Sequence, residues 1–284
     1  MELYEATSAA KVRGFMTKSL SAVAALALSL SGLGCGAVYP QLETPVRTPP
    51  AHATLTPPPP DDLLFLKFAG AVIPTRTRDG RNWDSVGGSL PDAFAKLLVD
   101  GKVILETPVQ SNSLTPTWPN QPRANYHVRP GASVRVELWD SNPINNHPIC
   151  VADLSDLHAE VSAEEPVQIK CNSGAELKLL AEPAHGRLGV GLFYELRREE
   201  VVVTRVLRES PAARAGLVRG DQLLKIQGKA VKSMAEGEAQ SQINANAATG
   251  ITILVRKLDK SEQELQLKEG AIYPMVDEGV PVDG

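Results

Sequence analysis

With 284 residues, the chain has room for about two domains. Its hydrophobic fraction of 43% and charged fraction of 22% are those of an ordinary soluble protein. A formal net charge of -4, with aromatics at 5% and no basic block interleaved with them, argues against nucleic acid as a partner.

In chain order, residues 1–15 carry Glu2 and Glu5 and no export pattern, so Met16 reads as the start and what precedes it as a mis-start extension. Residues 16–35 read as a signal peptide: Lys18 precedes an apolar, small-residue run over 20–33 that ends in Gly34-Cys35-Gly36. That run is too short to span a bilayer convincingly. Cys35 in this setting resembles the lipidated Cys of a bacterial lipobox, although Gly32 stands where that motif usually has Leu. The resemblance implies export and a lipid anchor in the cell envelope. Ordinary cleavage nearby, leaving Cys35 a free thiol, is the alternative.

The prolines crowd between Pro40 and Pro60, with Pro57 to Pro60 consecutive. Residues 36–62 therefore read as a semi-rigid spacer in extended polyproline geometry, holding the folded part off the membrane.

Residues 63–183 are punctuated like an antiparallel β-sandwich. Strands are expected at 63–73, 93–99, 102–106, 134–140, 166–170 and 176–180. Asp100-Gly101 supplies a hairpin turn, and polar loops cover 78–92 and 141–148. The run Asp92-Ala93-Phe94-Ala95, then Asn112-Ser113-Leu114-Thr115-Pro116-Thr117-Trp118, then Val136-Glu137-Leu138-Trp139-Asp140, resembles a C2 domain. C2 domains often hold calcium between apical loops, where carboxylates wrap a hard cation. The resemblance carries Asp84, Asp92 and Asp140 over as ligands, with Asn142 and Asn146 where the family often has further Asp. Amide carbonyls bring no charge, so affinity should fall. Solvated turns rich in Asp and Asn are the plain alternative. Lipid-headgroup binding is less expected, since no Lys/Arg cluster is seen to mark the loops.

Cys150 and Cys171 remain as a candidate disulfide in an exported protein, or as two unpaired thiols. Without a Cys-x-x-Cys or Cys/His cluster, a zinc site is not expected.

Val201, Val202, Val203, Thr204 and Val206 are β-branched and suit a strand. Ser210 can cap a short helix opening on Pro211, and Gly216 can end it. Gly220-Asp221 turns the chain into an apolar strand that ends at Gln227-Gly228-Lys229. Ser210-Pro211-Ala212-Ala213-Arg214-Ala215-Gly216-Leu217-Val218-Arg219-Gly220-Asp221 resembles the PDZ domains of bacterial envelope and tail-specific proteases, over residues 186–270. The resemblance implies a partly open β-barrel with two helices, of the circularly permuted bacterial type. Arg187, Leu188, Gly189, Val190, Gly191 and Leu192 then occupy the carboxylate-binding loop, and the strand after it offers an edge to a peptide. Ser233-Met234-Ala235-Glu236 reads as a capping box for a helix running to about Ala248. On it, Ala239 and Ile243 share a face that either lines the groove or is plain core. Residues 271–284 read as a polar tail.

No phosphate loop, dinucleotide fingerprint or metalloprotease motif is present, and the five His lie in loops or near turns without a partner pattern. The expectation is a mainly β protein with short helices that is not an enzyme. It would be a membrane-anchored envelope scaffold recognising protein or peptide C-termini, with calcium as its candidate cofactor. The alternatives are a calcium-regulated membrane-contact protein and a regulatory subunit of a separate envelope protease.

Overall fold

The computed structural model describes residues 39–83, 89–162, 165–280 and 282; the segment expected to be a signal peptide, Cys35 and Asp84 lie outside the described residues. The chain is mainly β with short helices.

Between residues 63 and 183 lie two four-stranded antiparallel sheets. One orders Ala124–His127, Leu63–Val72, Glu176–Pro183 and Val167–Lys170; the other orders Lys102–Glu106, Ala93–Val99, Val134–Asp140 and His147–Leu154. The strand Val134–Asp140 shows the physical cause. Val134, Val136 and Leu138 point into a shared core while Arg135 faces out, the period of two that a half-covered strand requires. Phe65, Leu66, Leu97, Leu138 and Leu177 are fully buried there, each stabilising by about 1.5–3 kcal/mol. Asp100 and Gly101 both take positive φ, as the two-residue hairpin turn demands. Cys150, on His147–Leu154, is bonded to Cys171, just past Val167–Lys170, with 5.5 Å between Cα atoms. Because those strands end their respective sheets, the bridge ties the two layers along one edge.

The second domain is an open sheet, not a closed barrel. It orders Gln41–Glu43, Leu192–Arg197, Glu200–Val206, Gln222–Ile226, Ile251–Arg256 and Glu262–Leu267, with Lys229–Ala230 on Gln222–Ile226. The Ser210 hydroxyl accepts from the Ala213 amide and caps α1 (Pro211–Arg214), and Gly216, at φ 85°, follows its end. The second helix, α2 (Glu238–Asn246), starts later than the sequence suggests. Gly237 sits left-handed before it, and Glu238, not Glu236, reaches back to the Ala235 amide at 3.0 Å. Ser233 instead donates to the Ala230 carbonyl.

Three expectations need correction. The loop expected over 141–148 gives way at His147 to a strand, His147–Leu154, paired along Val134–Asp140. The described part of residues 271–284 is not a polar tail. Gly270–Ile272 is a strand, Val280 packs with Phe193, Leu207 and Ile272, and Val282 enters the sandwich core. Burial of those apolar side chains outweighs the polar residues between them. Nor does the Pro-rich stretch stand clear of the fold. Gln41–Glu43 and Val46–Arg47 are strands, Leu55 packs with Leu63, Ala184 and Tyr273, and the Tyr273 hydroxyl donates to the Pro57 carbonyl at 2.7 Å.

The junction between sandwich and second domain is polar as well as apolar. Asp62 accepts from Arg208 at 3.0 Å and lies 3.0 Å from His127 Nε2. Asn125 is fully buried where residue 185 and residue 274 pass over the sandwich.

Candidate peptide groove and apical loops

The sequence predicts a free edge on the strand Leu192–Arg197. In the structure that edge carries Gln41–Glu43, antiparallel, with Gln41 opposite Glu195, Leu42 opposite Tyr194 and Glu43 opposite Phe193. Side chains alternate as in any added strand: Gln41 and Glu43 are exposed, and Leu42 packs on the core cluster that holds Val190, Leu192, Tyr194, Ala239 and Ile243. Ala239 and Ile243 are thus buried core residues. Tyr194 is buried, and burial pushes its phenol up to about 12, so it stays neutral beneath the added strand.

Thr44 completes the contact. Its amide donates to the Leu192 carbonyl at 2.9 Å, and its hydroxyl accepts from the Leu192 amide at 3.3 Å. The chain then continues through Pro45 into Val46–Arg47, which pairs with Arg187–Gly189. On its other side Arg187–Gly189 pairs with Gly270–Ile272. This departs from the expected open carboxylate-binding loop: over Arg187, Leu188 and Gly189 the backbone is a strand flanked on both sides. Val190 and Gly191 make the turn, and a side chain on Gly191 would strike Ser210 at 2.3 Å.

Further contacts fix the segment. Arg187 donates to the Thr48 hydroxyl, and Arg47 pairs with Glu269. The hydrogen bond and charge of Arg47 hold the Glu269 carboxyl below the usual carboxylate range. Across a cavity of about 360 Å³, Asn244 of α2 and Val280 face residues 43–48.

At the sandwich tip the structure brings Asp92, Asp140, Asn142 and Asn146 together, with Asp84 outside the described residues. Each of the four is hydrogen-bonded within the loops. Asp140, fully buried, accepts from the Asp92 amide at 2.9 Å and from the Asn142 side chain at 3.2 Å. Asp92 accepts from the Asn112 amide at 2.8 Å, and Asn146 from the Asn142 amide at 3.2 Å. The chain of bonds holds the loops in register. Among the described residues no three His, Cys, Asp or Glu side chains converge as metal ligands.

The loops are also more basic than the sequence suggests. Arg76, Arg78 and Arg81 line a cavity of about 780 Å³ beside Trp83, Asn142 and His147. Asp79 pairs with Arg81, and Arg76 donates to the Gly80 carbonyl at 3.0 Å. These guanidinium groups add positive charge beside Asn142, which disfavours a divalent cation there.

Sequence reasoning misses Thr44, Asn125 and the arginine cluster. The arginines lie within six consecutive positions and are legible there; Thr44 and Asn125 act through partners distant in sequence.

Both domains match known families. The C2 domain family matches residues 74–166, and the PDZ domain family matches residues 161–256. A probable CtpA-like serine protease of Staphylococcus aureus (strain COL) is 27% identical over 86 residues, 30% of this chain and 17% of that protein. Carboxy-terminal processing protease CtpA of Bacillus subtilis (strain 168) is 29% identical over 84 residues, 30% of this chain and 18% of that protein. The chain therefore spans less than a fifth of the length of these relatives. Among solved structures, a C2 domain shares 14% identity at a TM-score of 0.32, covering 42% of this chain and 96% of that one. A C2 domain of plant extended synaptotagmin 1 shares 21% at 0.32, covering 44% and 96%. The chain carries a C2 domain followed by a PDZ domain.

Proposed function

We propose that this chain is a binding scaffold of a bacterial cell envelope, held at a membrane by a lipid on Cys35, whose PDZ domain receives an extended strand of a partner protein on Leu192–Arg197. A C2 and PDZ pair supports a protein-binding or membrane-contact role. The observation that carries the finer reading is an extended segment, Gln41–Glu43, hydrogen-bonded along that strand. Main-chain bonds of this kind supply affinity, and the pocket beneath alternate residues supplies selectivity. C-terminal peptides, the ligands expected from the sequence, would use the same edge after displacing residues 41–44.

The role is binding rather than catalysis. The relatives named as proteases are matched only over the PDZ region, at under 30% identity. Calcium has no part in this reading, because the Asp92 and Asp140 carboxylates accept N–H groups of the loops themselves.

The test is selection of random peptides against the full chain. Bound peptides should displace residues 41–44 and speed amide exchange there; tight binders that leave those amides unchanged would sink the groove as the working site. For the anchor, Cys35→Ala should release the protein from membranes, and unchanged detergent partitioning would remove the lipid from the proposal.

A further inference from the structure

We infer that the PDZ groove is built for an internal, uninterrupted segment rather than a free C-terminus, and that residues 41–47 are its resident ligand. The inference rests on the groove reading above and names the ligand class.

Three observations converge. The register is that of an added strand, with alternate side chains turned inward, so position 42 requires an apolar residue and positions 41 and 43 are open to any. At position 44, where an incoming peptide would end, a Thr is 1% exposed and exchanges hydrogen bonds with both backbone groups of Leu192. A neutral hydroxyl therefore does the work that a terminal carboxylate oxygen would do at that amide. Beyond it the polypeptide does not stop. Pro45 carries the chain over Gly189, whose missing side chain leaves room for it: a Cβ there would lie 3.3 Å from the Pro45 carbonyl and 3.4 Å from Val46. Val46–Arg47 then adds a second set of main-chain bonds on Arg187–Gly189. A peptide ending at position 44 forfeits that second set, and its carboxylate meets a strand already paired on its far side by Gly270–Ile272.

The ligand class is thus an extended internal stretch of the order apolar, any, Thr or Ser, Pro, β-branched. Because the resident segment is tethered, it competes at an effective concentration of order millimolar. For a segment that would hold with micromolar affinity as a separate peptide, that competition weakens an external ligand about a thousandfold.

The test uses the full chain carrying Leu42→Asp and Thr44→Val, which removes the apolar anchor and the hydroxyl, with a fluorescent peptide of residues 39–48 capped at both ends. The capped peptide should bind the variant at least tenfold more tightly than it binds the unaltered chain. A second peptide, residues 39–44 with a free carboxylate, should bind the variant at least tenfold more weakly than the capped one. If the variant fails to fold, a protease site at exposed residues 51–54 serves instead: cutting there and diluting should let the capped peptide exchange for the resident segment. Tighter binding of the free-carboxylate peptide would overturn the internal class and leave the groove as a strand-addition site. Binding of neither, with amides 192–197 unchanged, would overturn the groove reading itself.

Discussion

Asn125 and His185 exchange hydrogen bonds across the junction of the two domains. Asn125 Nδ2 donates to the His185 carbonyl at 2.8 Å, and the His185 amide donates to Asn125 Oδ1 at 2.8 Å. The same Nδ2 donates to the Pro274 carbonyl at 2.8 Å. One side-chain amide of the sandwich thereby satisfies backbone groups on both sides of the PDZ sequence. Asn125 itself is fully buried, so water offers its side chain no ready substitute.

Asn125→Ala should therefore destabilise by about 2–4 kcal/mol, since each buried group left unsatisfied costs about 1–3 kcal/mol and some relaxation is expected. Calorimetry should also show two transitions replacing one, because the junction loses its shared polar tie. A single transition with unchanged midpoint would show that the domains are coupled elsewhere.

The disulfide gives a second prediction. Cys150 and Cys171 are 21 residues apart, for which the chain-entropy model gives roughly 3 kcal/mol. The paired Cys150→Ala and Cys171→Ala variant should lose about that much in urea unfolding, with its peptide binding retained. Because the junction couples the domains, the shared transition as a whole should shift, and an unchanged midpoint would show that the bridge adds nothing.

A third concerns the tip of the sandwich. Asp140→Ala should cost about 1–3 kcal/mol with or without calcium, because the carboxylate serves the Asp92 amide and the Asn142 side chain. Millimolar calcium should leave the melting temperature of the unaltered chain in place. A rise that Asp84→Asn abolishes would mean that Asp84 completes a cation site after all.

Much of this architecture is legible where signals are local. Val134–Asp140 alternates over seven residues, Asp100-Gly101 permits one common hairpin turn, and Ser210-Pro211 with Gly216 brackets a helix. The added strand is not legible, for physical reasons. Gln41–Glu43 offers one alternation among prolines, and its partners lie more than a hundred residues away at 193–195. Composition alone describes such a stretch as a spacer, yet a single Leu and a single Thr suffice once a sheet edge is available. Val280 and Val282 are hidden in the same way, being isolated apolar residues whose burial depends wholly on tertiary structure. The start of α2 is misleading in the sequence because two carboxylates compete for one cap, and the backbone at Gly237 favours Glu238.

Asp62 yields a pH prediction. Burial raises its carboxyl, but the hydrogen bond and charge of Arg208, with His127 beside it, outweigh that and hold it below the usual carboxylate range. A depressed folded value means that its contribution is present above the unfolded value, near 3.9, and is lost as pH falls through the folded one. Stability should thus fall below about pH 4, and Asp62→Asn should flatten that part of the acid limb. The carboxylate is partly exposed, so the effect should also shrink at high salt.

The last prediction concerns an asymmetric pair inside the PDZ domain. Asp221 is fully buried, accepts from the Val218 amide at 3.0 Å and pairs with the Lys257 ammonium, whose side chain is 18% exposed. The ammonium also donates to the Gly216 carbonyl at 2.7 Å, so it staples the end of α1 to the turn before Gln222–Ile226. Removing either partner breaks the pair, but the group left behind differs. Lys257→Ala strands a buried carboxylate, which costs about 3–5 kcal/mol when nothing replaces its partner. Asp221→Asn keeps an acceptor for the Val218 amide, and the Lys257 stem is long enough to carry its charge to water. The Lys variant should therefore be the more destabilised, by at least about 1 kcal/mol in matched urea unfolding. Equal losses, or a larger loss for Asp221→Asn, would show that the carboxylate acts mainly as a turn cap and that the ion pair adds little.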